Sequence, residues 1–234
     1  MAVEAILVDG RRAWRKRYRD DPRRLSLAAL DALARAFDLP PLRPPPRHPS
    51  ATKRKQVEAG RLRALRASGV RVPEILAEDD DSLTLSDLGA TLATRLRELA
   101  QEPAAVDTLS QAAIDAIADA HARGACIGQP VPRNLSTGDG GIGFFDLEED
   151  PLETMTLPEA QARDWILFAY GIAKHYDARP GVLATLLAEP LQRAPAEVAT
   201  LVRRVGRRLH PLGLLASLGS RSMRALAHAV DALR

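Results

Sequence analysis

Cysteine and aromatic residues are scarce in this sequence. Cys126 is the only cysteine, so the chain can form no intramolecular disulfide and no thiolate metal cluster. The five histidines never fall at a metal-ligand spacing such as HxxxH, which argues against a dedicated zinc site. Aromatic residues make up 4% of the chain and no recognition motif for nucleic acid occurs, so we expect no nucleic-acid partner.

Long hydrophobic runs are also absent. The N-terminal apolar run AILV is too short for the core of a signal peptide, and Glu4 stands where such a peptide is basic. No stretch approaches the roughly 20 apolar residues that cross a bilayer as a helix. We therefore expect a cytoplasmic protein. Its length of 234 residues fits one domain or a small domain joined to a larger one.

Charge is unevenly distributed, although the formal net charge is only +3. Residues 1–75 contain 18 Lys and Arg against 8 Asp and Glu, residues 76–200 contain 8 against 21, and residues 201–234 contain 7 against 1. Basic ends around an acidic middle suit a site where cations gather opposite an anionic ligand. Solvated helix faces would give the same pattern.

The first part of the chain is rich in predicted strands. Asp9-Gly10 separates EAILV from RRAWRKRY and predicts a β-hairpin over the first 18 residues. Two short strands around an acidic turn are predicted within residues 70–89, and helices are predicted at residues 23–37 and 53–69. The proline-rich segment at residues 39–49 predicts a connector, either ordered or flexible.

From residue 90 onward the pattern is mainly helical. Apolar residues recur at three and four spacing, and Gly124 marks the end of one helix. Strands followed by helices predict an α+β fold with two lobes. The stretch GDGGIG, residues 138–143, matches a GxGxxG fingerprint by letter, but strand-like residues follow it where that fingerprint needs a helix. We interpret it as the tight turn of a hairpin.

Several short motifs are dispersed along the chain, and the order in which they occur is informative. They are AWRK with Lys16, KQVEAGRLRAL with Glu58, LTLSDLG with Asp87, His121, GQPVPRN, FFDLEED and ARDW with Asp164. From about residue 4 to 175 this order resembles the protein-kinase-like superfamily, especially small bacterial lipopolysaccharide-core (Kdo and heptose) kinases and RIO-like kinases. The resemblance implies a nucleotide-covering N-lobe at residues 1–88 and a helical C-lobe at residues 89–234.

The resemblance also implies roles for single residues with ATP and Mg²⁺ as cofactors. Lys16 would hold the α- and β-phosphates, Glu58 would pair with that lysine, and Asp87 would lie near the adenine or ribose. Asn134 and Asp146 would bind Mg²⁺ through oxygen, as a hard cation requires. Asp164 would brace the catalytic loop, and His121 is expected to be structural.

Each of these residues also has a plain structural interpretation. Lys16 lies among five arginines and, taken alone, is typical of a surface charge. Glu58 alone fits an exposed helix residue, and Asn134 alone fits a turn. Asp146 differs because it follows the apolar run IGFF, where a buried carboxylate is costly without a cation or hydrogen-bond donors.

The catalytic loop departs from the family pattern at Gln129, which stands where the family has its catalytic Asp. Nothing from Ala122 to Asn134 is acidic, so the loop lacks a base. Positioning and charge neutralisation carry most of phosphoryl transfer, and an amide can still orient a hydroxyl, so catalysis is not excluded. Glu148 and Glu149 are candidates for a further metal ligand or a displaced base, or are plain surface carboxylates.

Two functions therefore stand. The first is an atypical ATP- and Mg²⁺-dependent phosphotransferase that acts on a small-molecule, sugar or lipid-linked hydroxyl, with Gln129 and Asp146 in its catalytic site. The second is a pseudokinase, a nucleotide-binding or regulatory interaction module. The segment LVRRVGRRLHPLGLLASLG, residues 201–219, either contacts the inner face of a membrane, which would favour an anionic glycolipid substrate, or is a packing helix with solvated arginines.

Overall fold

The computed structural model describes residues 2–20, 27–46, 48–216 and 220–234. The fold is α+β, as predicted from the sequence. The strands are β1 (Ala2–Val8), β2 (Arg11–Arg17), β3 (Ile75–Glu78), β4 (Ser82–Ser86), β5 (Leu135–Gly138) and β6 (Gly141–Phe144). The helices are α1 (Leu27–Ala36), α2 (Ala51–Ala67), α3 (Leu92–Glu98), α4 (Pro103–Ala122), α5 (Leu157–Ala173), α6 (Pro180–Arg193), α7 (Ala196–Ala216) and α8 (Arg221–Ala232).

An antiparallel sheet with the strand order β1-β2-β4-β3 forms the N-terminal part. The predicted hairpin is confirmed, because Val8 pairs with Arg11 across Asp9-Gly10. Both turn residues have positive φ, 50° and 74°, as the two-residue turn of a twisted hairpin requires. The predicted strands around the acidic turn are β3 and β4. The predicted helix at residues 23–37 lies partly outside the described residues, and its described part begins at Leu27.

Helix α2 carries charge on its buried side. The hydroxyl of Ser50 accepts a hydrogen bond from the Lys53 amide and caps its N-terminus. Leu62 and Leu65 are buried as expected. The buried side also includes polar residues that the apolar pattern did not predict, namely Arg54, Lys55, Glu58 and Arg61. Because a buried charge needs a partner, each of these side chains must be paired within the protein.

Helix α5 is the central helix of the C-terminal part. Thr156 and Glu159 form a capping box at its N-terminus. Trp165, Phe168 and Ile172 are at most 1% exposed, and α7 and α8 pack against the helix. Apart from Ala160, its buried apolar residues belong to one core that also includes residues of the sheet and of the β5–β6 hairpin. The predicted turn in GDGGIG is confirmed, since Gly138 pairs with Gly141 in that hairpin.

The connector and the basic C-terminal helix both contact other elements. Residues 40–42 of the proline-rich segment form a short 3₁₀ turn, and Arg163 of α5 donates hydrogen bonds to the carbonyls of Pro41 and Arg43. Arg204 of α7 lies 3.1 Å from the carboxylate of Asp38. In the part of the chain that the structure describes, no helix is both long and apolar enough to cross a membrane.

Candidate functional site

A cavity of about 350 Å³ lies against the sheet and brings together most of the predicted site residues. Residues from β2, α2, the end of β4, the segment before β5 and the segment after β6 line it. Five of the six predicted site residues are in this wall, namely Lys16, Glu58, Asp87, Asn134 and Asp146. They come from positions up to 130 residues apart in the chain, so only the tertiary fold makes them neighbours.

Lys16 is the charged centre of this cavity. It is 5% exposed, so the surface-charge interpretation is wrong. Its Nζ lies 2.6 Å from Glu58 Oε2 and 2.8 Å from Asp146 Oδ1. Burial alone lowers the pKa of Lys16, but the negative charges of Glu58 and Asp146 outweigh this effect and raise the pKa above its ordinary value. The lysine is therefore held in its charged form.

Both oxygens of Glu58 have partners, and the carboxylate is 1% exposed, so the exposed-helix interpretation is wrong. The Tyr18 hydroxyl donates a hydrogen bond of 2.6 Å to Oε2, and the Leu147 amide donates one of 3.4 Å to Oε1. Burial and the neighbouring carboxylate raise the pKa of Tyr18 well above its usual range, so it remains a donor. These contacts fix the glutamate beside Lys16.

Asp146 differs in one respect from the sequence-based expectation. Strand β6 ends at Phe144, and the side chain of Asp146 is 35% exposed, so the argument from a fully buried strand end is wrong. Its φ is 62°, in the left-handed region that an Asp tolerates better than most residues. This turn of the chain sends the carboxylate toward Lys16 instead of continuing the strand.

Three carboxylates converge beside Lys16. One oxygen each of Glu58, Asp146 and Glu148 lies within 4.8 Å of the others. Oε2 of Glu148 is buried without a hydrogen-bond partner, and burial raises the pKa of this carboxyl. The same oxygen lies 4.0 Å from Lys16 and 3.9 Å from Arg54. A cluster of carboxylate oxygens, one of them buried without a hydrogen bond, fits a hard divalent cation such as Mg²⁺.

The loop at residues 127–134, here called the Gln129 loop, is anchored by a buried carboxylate. Asp164 of α5 is 0% exposed and accepts hydrogen bonds of 2.6 Å from both the Ile127 and the Gly128 amides. His121 Nε2 lies 3.0 Å from the same carboxylate, consistent with the structural role expected for this histidine. The start of the loop is thereby tied to the central helix.

Arg61 of α2 anchors the same region from the other side. Its guanidinium donates hydrogen bonds to the carbonyls of Cys126, Ile127 and Glu149, at 2.7, 3.1 and 2.8 Å. Five fixed donors allow one arginine to join two segments in this way. Sequence reasoning missed Arg61; the available signal is its position three residues after Glu58, on the same side of one helix.

Gln129 lies outside the main cavity. It lines a smaller cavity of about 140 Å³ together with Asp146, Glu149 and Arg133. Its side-chain amide donates a hydrogen bond of 2.6 Å to Glu149 Oε2, and Asn134 donates one of 3.1 Å to its backbone carbonyl. Asp146 lines both cavities. The carboxylate of Glu149 therefore lies beside Gln129 in the small cavity.

Sequence reasoning missed two aromatic residues of the site. Trp14 donates its indole N–H to Asp87 Oδ1 at 3.0 Å, and Tyr18 bonds Glu58 as described above. Trp14, Lys16 and Tyr18 are spaced by two, and side chains at that spacing lie on one face of a strand. That alternation was the signal available in the sequence.

No protein-family profile matches the chain, and no curated protein is significantly similar to it. The assignment of the site therefore depends on its own geometry and chemistry.

Proposed function

We propose that the chain has a bilobal protein-kinase-like arrangement and is an atypical ATP- and Mg²⁺-dependent phosphotransferase. Its acceptor would be the hydroxyl of a small molecule, a sugar or a lipid-linked substrate. The observation that carries the proposal is the buried Lys16, paired at once with Glu58 and with Asp146 in one cavity. A lysine held by two carboxylates from distant elements is costly as plain structure, and phosphoryl-transfer sites need such a charge beside their phosphates.

The nucleotide would occupy the cavity of about 350 Å³. Lys16 would neutralise the α- and β-phosphates. Asp87, held by the Trp14 indole, would contact the adenine or ribose. Asp146, with Glu148 and Asn134 as further oxygen donors, would hold Mg²⁺, which supplies charge neutralisation on the β- and γ-phosphates. Glu148 Oε2 supports this set, because it is buried without a hydrogen bond and has only ion pairs of 3.9 Å to Arg54 and 4.0 Å to Lys16.

The smaller cavity supports an account of the transfer itself. The acceptor oxygen forms a bond to the γ-phosphorus while the bond from that phosphorus to the ADP oxygen breaks. An amide such as Gln129 cannot take the proton that the acceptor hydroxyl releases. Glu149 can, since its carboxylate accepts the Gln129 amide at 2.6 Å and lines the same cavity as Asp146. In this account Gln129 orients the displaced base.

The test is a thermal-shift titration with ATP, with and without Mg²⁺, combined with a measurement of ADP formation. We expect ATP and Mg²⁺ to raise the melting temperature of the wild type, because a ligand that binds only the folded state stabilises it. Asp146→Ala should lose the Mg²⁺-dependent part of the shift. Glu149→Gln should keep the shift and lose ADP formation by about 100-fold or more, the contribution of a general base.

Asp139→Ala is the matched control, because Asp139 is an exposed carboxylate at the turn of the β5–β6 hairpin and lines neither cavity. It should behave as the wild type. No shift in any sample would contradict both the nucleotide and the metal assignment. A shift of the melting temperature without ADP formation in the wild type would favour the second candidate, a pseudokinase. The amide side chain of Gln129 is the observation that favours this candidate.

A further inference from the structure

A second, larger cavity near the Gln129 loop is positively charged. It has a volume of about 730 Å³ and is formed by α3, the loop residues 131–133, the end of α5 and α8. Arg97, Arg133 and Lys174 line it, and no described residue of its lining is Asp or Glu. The small cavity next to it is more acidic, since Asp146, Glu148 and Glu149 line it together with Arg61 and Arg133.

Arg97, Arg133 and Lys174 are exposed and form no ion pair among the described residues, and Arg133 also lines the small cavity with Asp146, Glu148 and Glu149. Arg97 donates to the Ala93 carbonyl and to the Thr94 hydroxyl, at 3.2 and 3.3 Å, and both acceptors are neutral. Arg133 and Lys174 form no ion pair with any carboxylate in the described ranges. Cations that form no ion pair and share a concave surface attract an oxyanion and can hold it by charge-assisted hydrogen bonds.

Arg133 connects this cavity to the proposed site of transfer, because it lines both the large and the small cavity. Its position follows from the packing of its neighbour. A Cβ atom at Gly171 of α5 would lie 2.5 Å from Pro132 Cδ, so the absence of a side chain at Gly171 lets the loop pack directly on the helix. Arg133 is thus the residue shared by the large cavity and by the small cavity that Gln129 and Asp146 line.

We infer that the large cavity binds the acceptor substrate through an oxyanion, a phosphate or a carboxylate. Arg97, Arg133 and Lys174 hold this group, and a hydroxyl of the same molecule extends past Arg133 into the small cavity. The inference rests on the proposed phosphotransferase function and narrows its substrate class. The acceptor is a hydroxyl compound that already carries a negative charge, so that the cavity selects it by charge before transfer.

Binding of inorganic pyrophosphate, measured by isothermal titration calorimetry, tests the site. The cavity variant is Arg97→Gln with Lys174→Gln. The matched control is Arg95→Gln with Arg193→Gln, which removes the same charge from exposed arginines outside the cavity. We expect the cavity variant to bind pyrophosphate about tenfold more weakly than the wild type, since exposed charge contacts are partly screened. The control should bind within about twofold of the wild type.

Equal weakening in both variants, or no binding to the wild type at millimolar pyrophosphate, would overturn the inference. The ATP-dependent thermal shift is measured on the same samples and should survive in the cavity variant. A further outcome is that ATP leaves the melting temperature of the wild type unchanged while pyrophosphate binding is weakened only in the cavity variant. In that case the proposed function fails, and the large cavity is an anion site without an acceptor role.

A second arm identifies the carrier of the anion. The wild type is sedimented with phosphatidylcholine vesicles that contain phosphatidylglycerol. If the cavity variant no longer cosediments and the control still does, the anion belongs to a lipid headgroup. Loss of pyrophosphate binding without any cosedimentation of the wild type would place it on a soluble acceptor. Either result supports the oxyanion site.

Discussion

Replacement of Asp164 by Ala should separate the Gln129 loop from the central helix and destabilise the fold. The carboxylate accepts the amides of Ile127 and Gly128, both at 2.6 Å, and contacts His121 at 3.0 Å, in a place with no solvent exposure. Alanine would leave two buried amides without an acceptor, at about 1–3 kcal/mol each. We therefore expect a loss of about 4 kcal/mol in the free energy of unfolding, a large part of the roughly 5–15 kcal/mol of a typical domain.

Urea unfolding followed by circular dichroism measures this loss, and amide hydrogen exchange locates it. The Ile127 and Gly128 amides should exchange much faster in Asp164→Ala, because they lose their acceptor. The free energy of unfolding of Asp164→Asn should lie between those of Asp164→Ala and the wild type, since one side-chain oxygen remains. Asp119→Ala is the control, because Asp119 is an exposed carboxylate on α4, and its effect should stay within about 0.5 kcal/mol. A loss below about 1 kcal/mol in Asp164→Ala would refute the anchoring argument.

Two further predictions concern the same region. Because burial raises the pKa of Glu148, the folded state disfavours its charged form, and stability is lost as pH rises through the folded-state pKa. Glu148→Gln should thus raise the melting temperature at neutral pH, by an amount that shrinks as the pH falls; a lower melting temperature at neutral pH would contradict this. Gly171→Ala should lower the free energy of unfolding in urea by about 1–3 kcal/mol, because its Cβ would overlap Pro132. Gly60→Ala, on an open helix face, should raise it by roughly 0.5–1 kcal/mol. Similar effects of the two glycine variants would show that the loop does not pack on α5 as described.

The elements with local signals were predicted well from the sequence. The hairpin at Asp9-Gly10 and the turn in GDGGIG depend on backbone preferences of a few adjacent residues, and both are present. The mainly helical part after residue 90 was predicted because apolar residues recur at three and four spacing, and α3 to α8 lie there. Elements predicted from such local signals form as expected because the signals do not depend on which residues pack against them.

The burial of charged residues was not predictable in this way. Lys16 among its arginines has the local pattern of a surface residue, and Glu58 that of an exposed helix position. Both are buried because β2 and α2 pack with these two side chains facing each other. The pairing was expected from the family resemblance and is present in the structure, while the roles of the two residues in nucleotide binding stay predictions.

The sequence by itself determined the periodicities, the turns, the scarcity of cysteine and the absence of an acidic residue from Ala122 to Asn134. Only the tertiary structure decided what surrounds Gln129. It placed Glu149, twenty positions along the chain, against the Gln129 amide, and it placed Arg133 between an acidic and a basic cavity. The physical reason is that local patterns follow from neighbouring residues, whereas the charge at a site is the sum of side chains that packing brings together from distant elements.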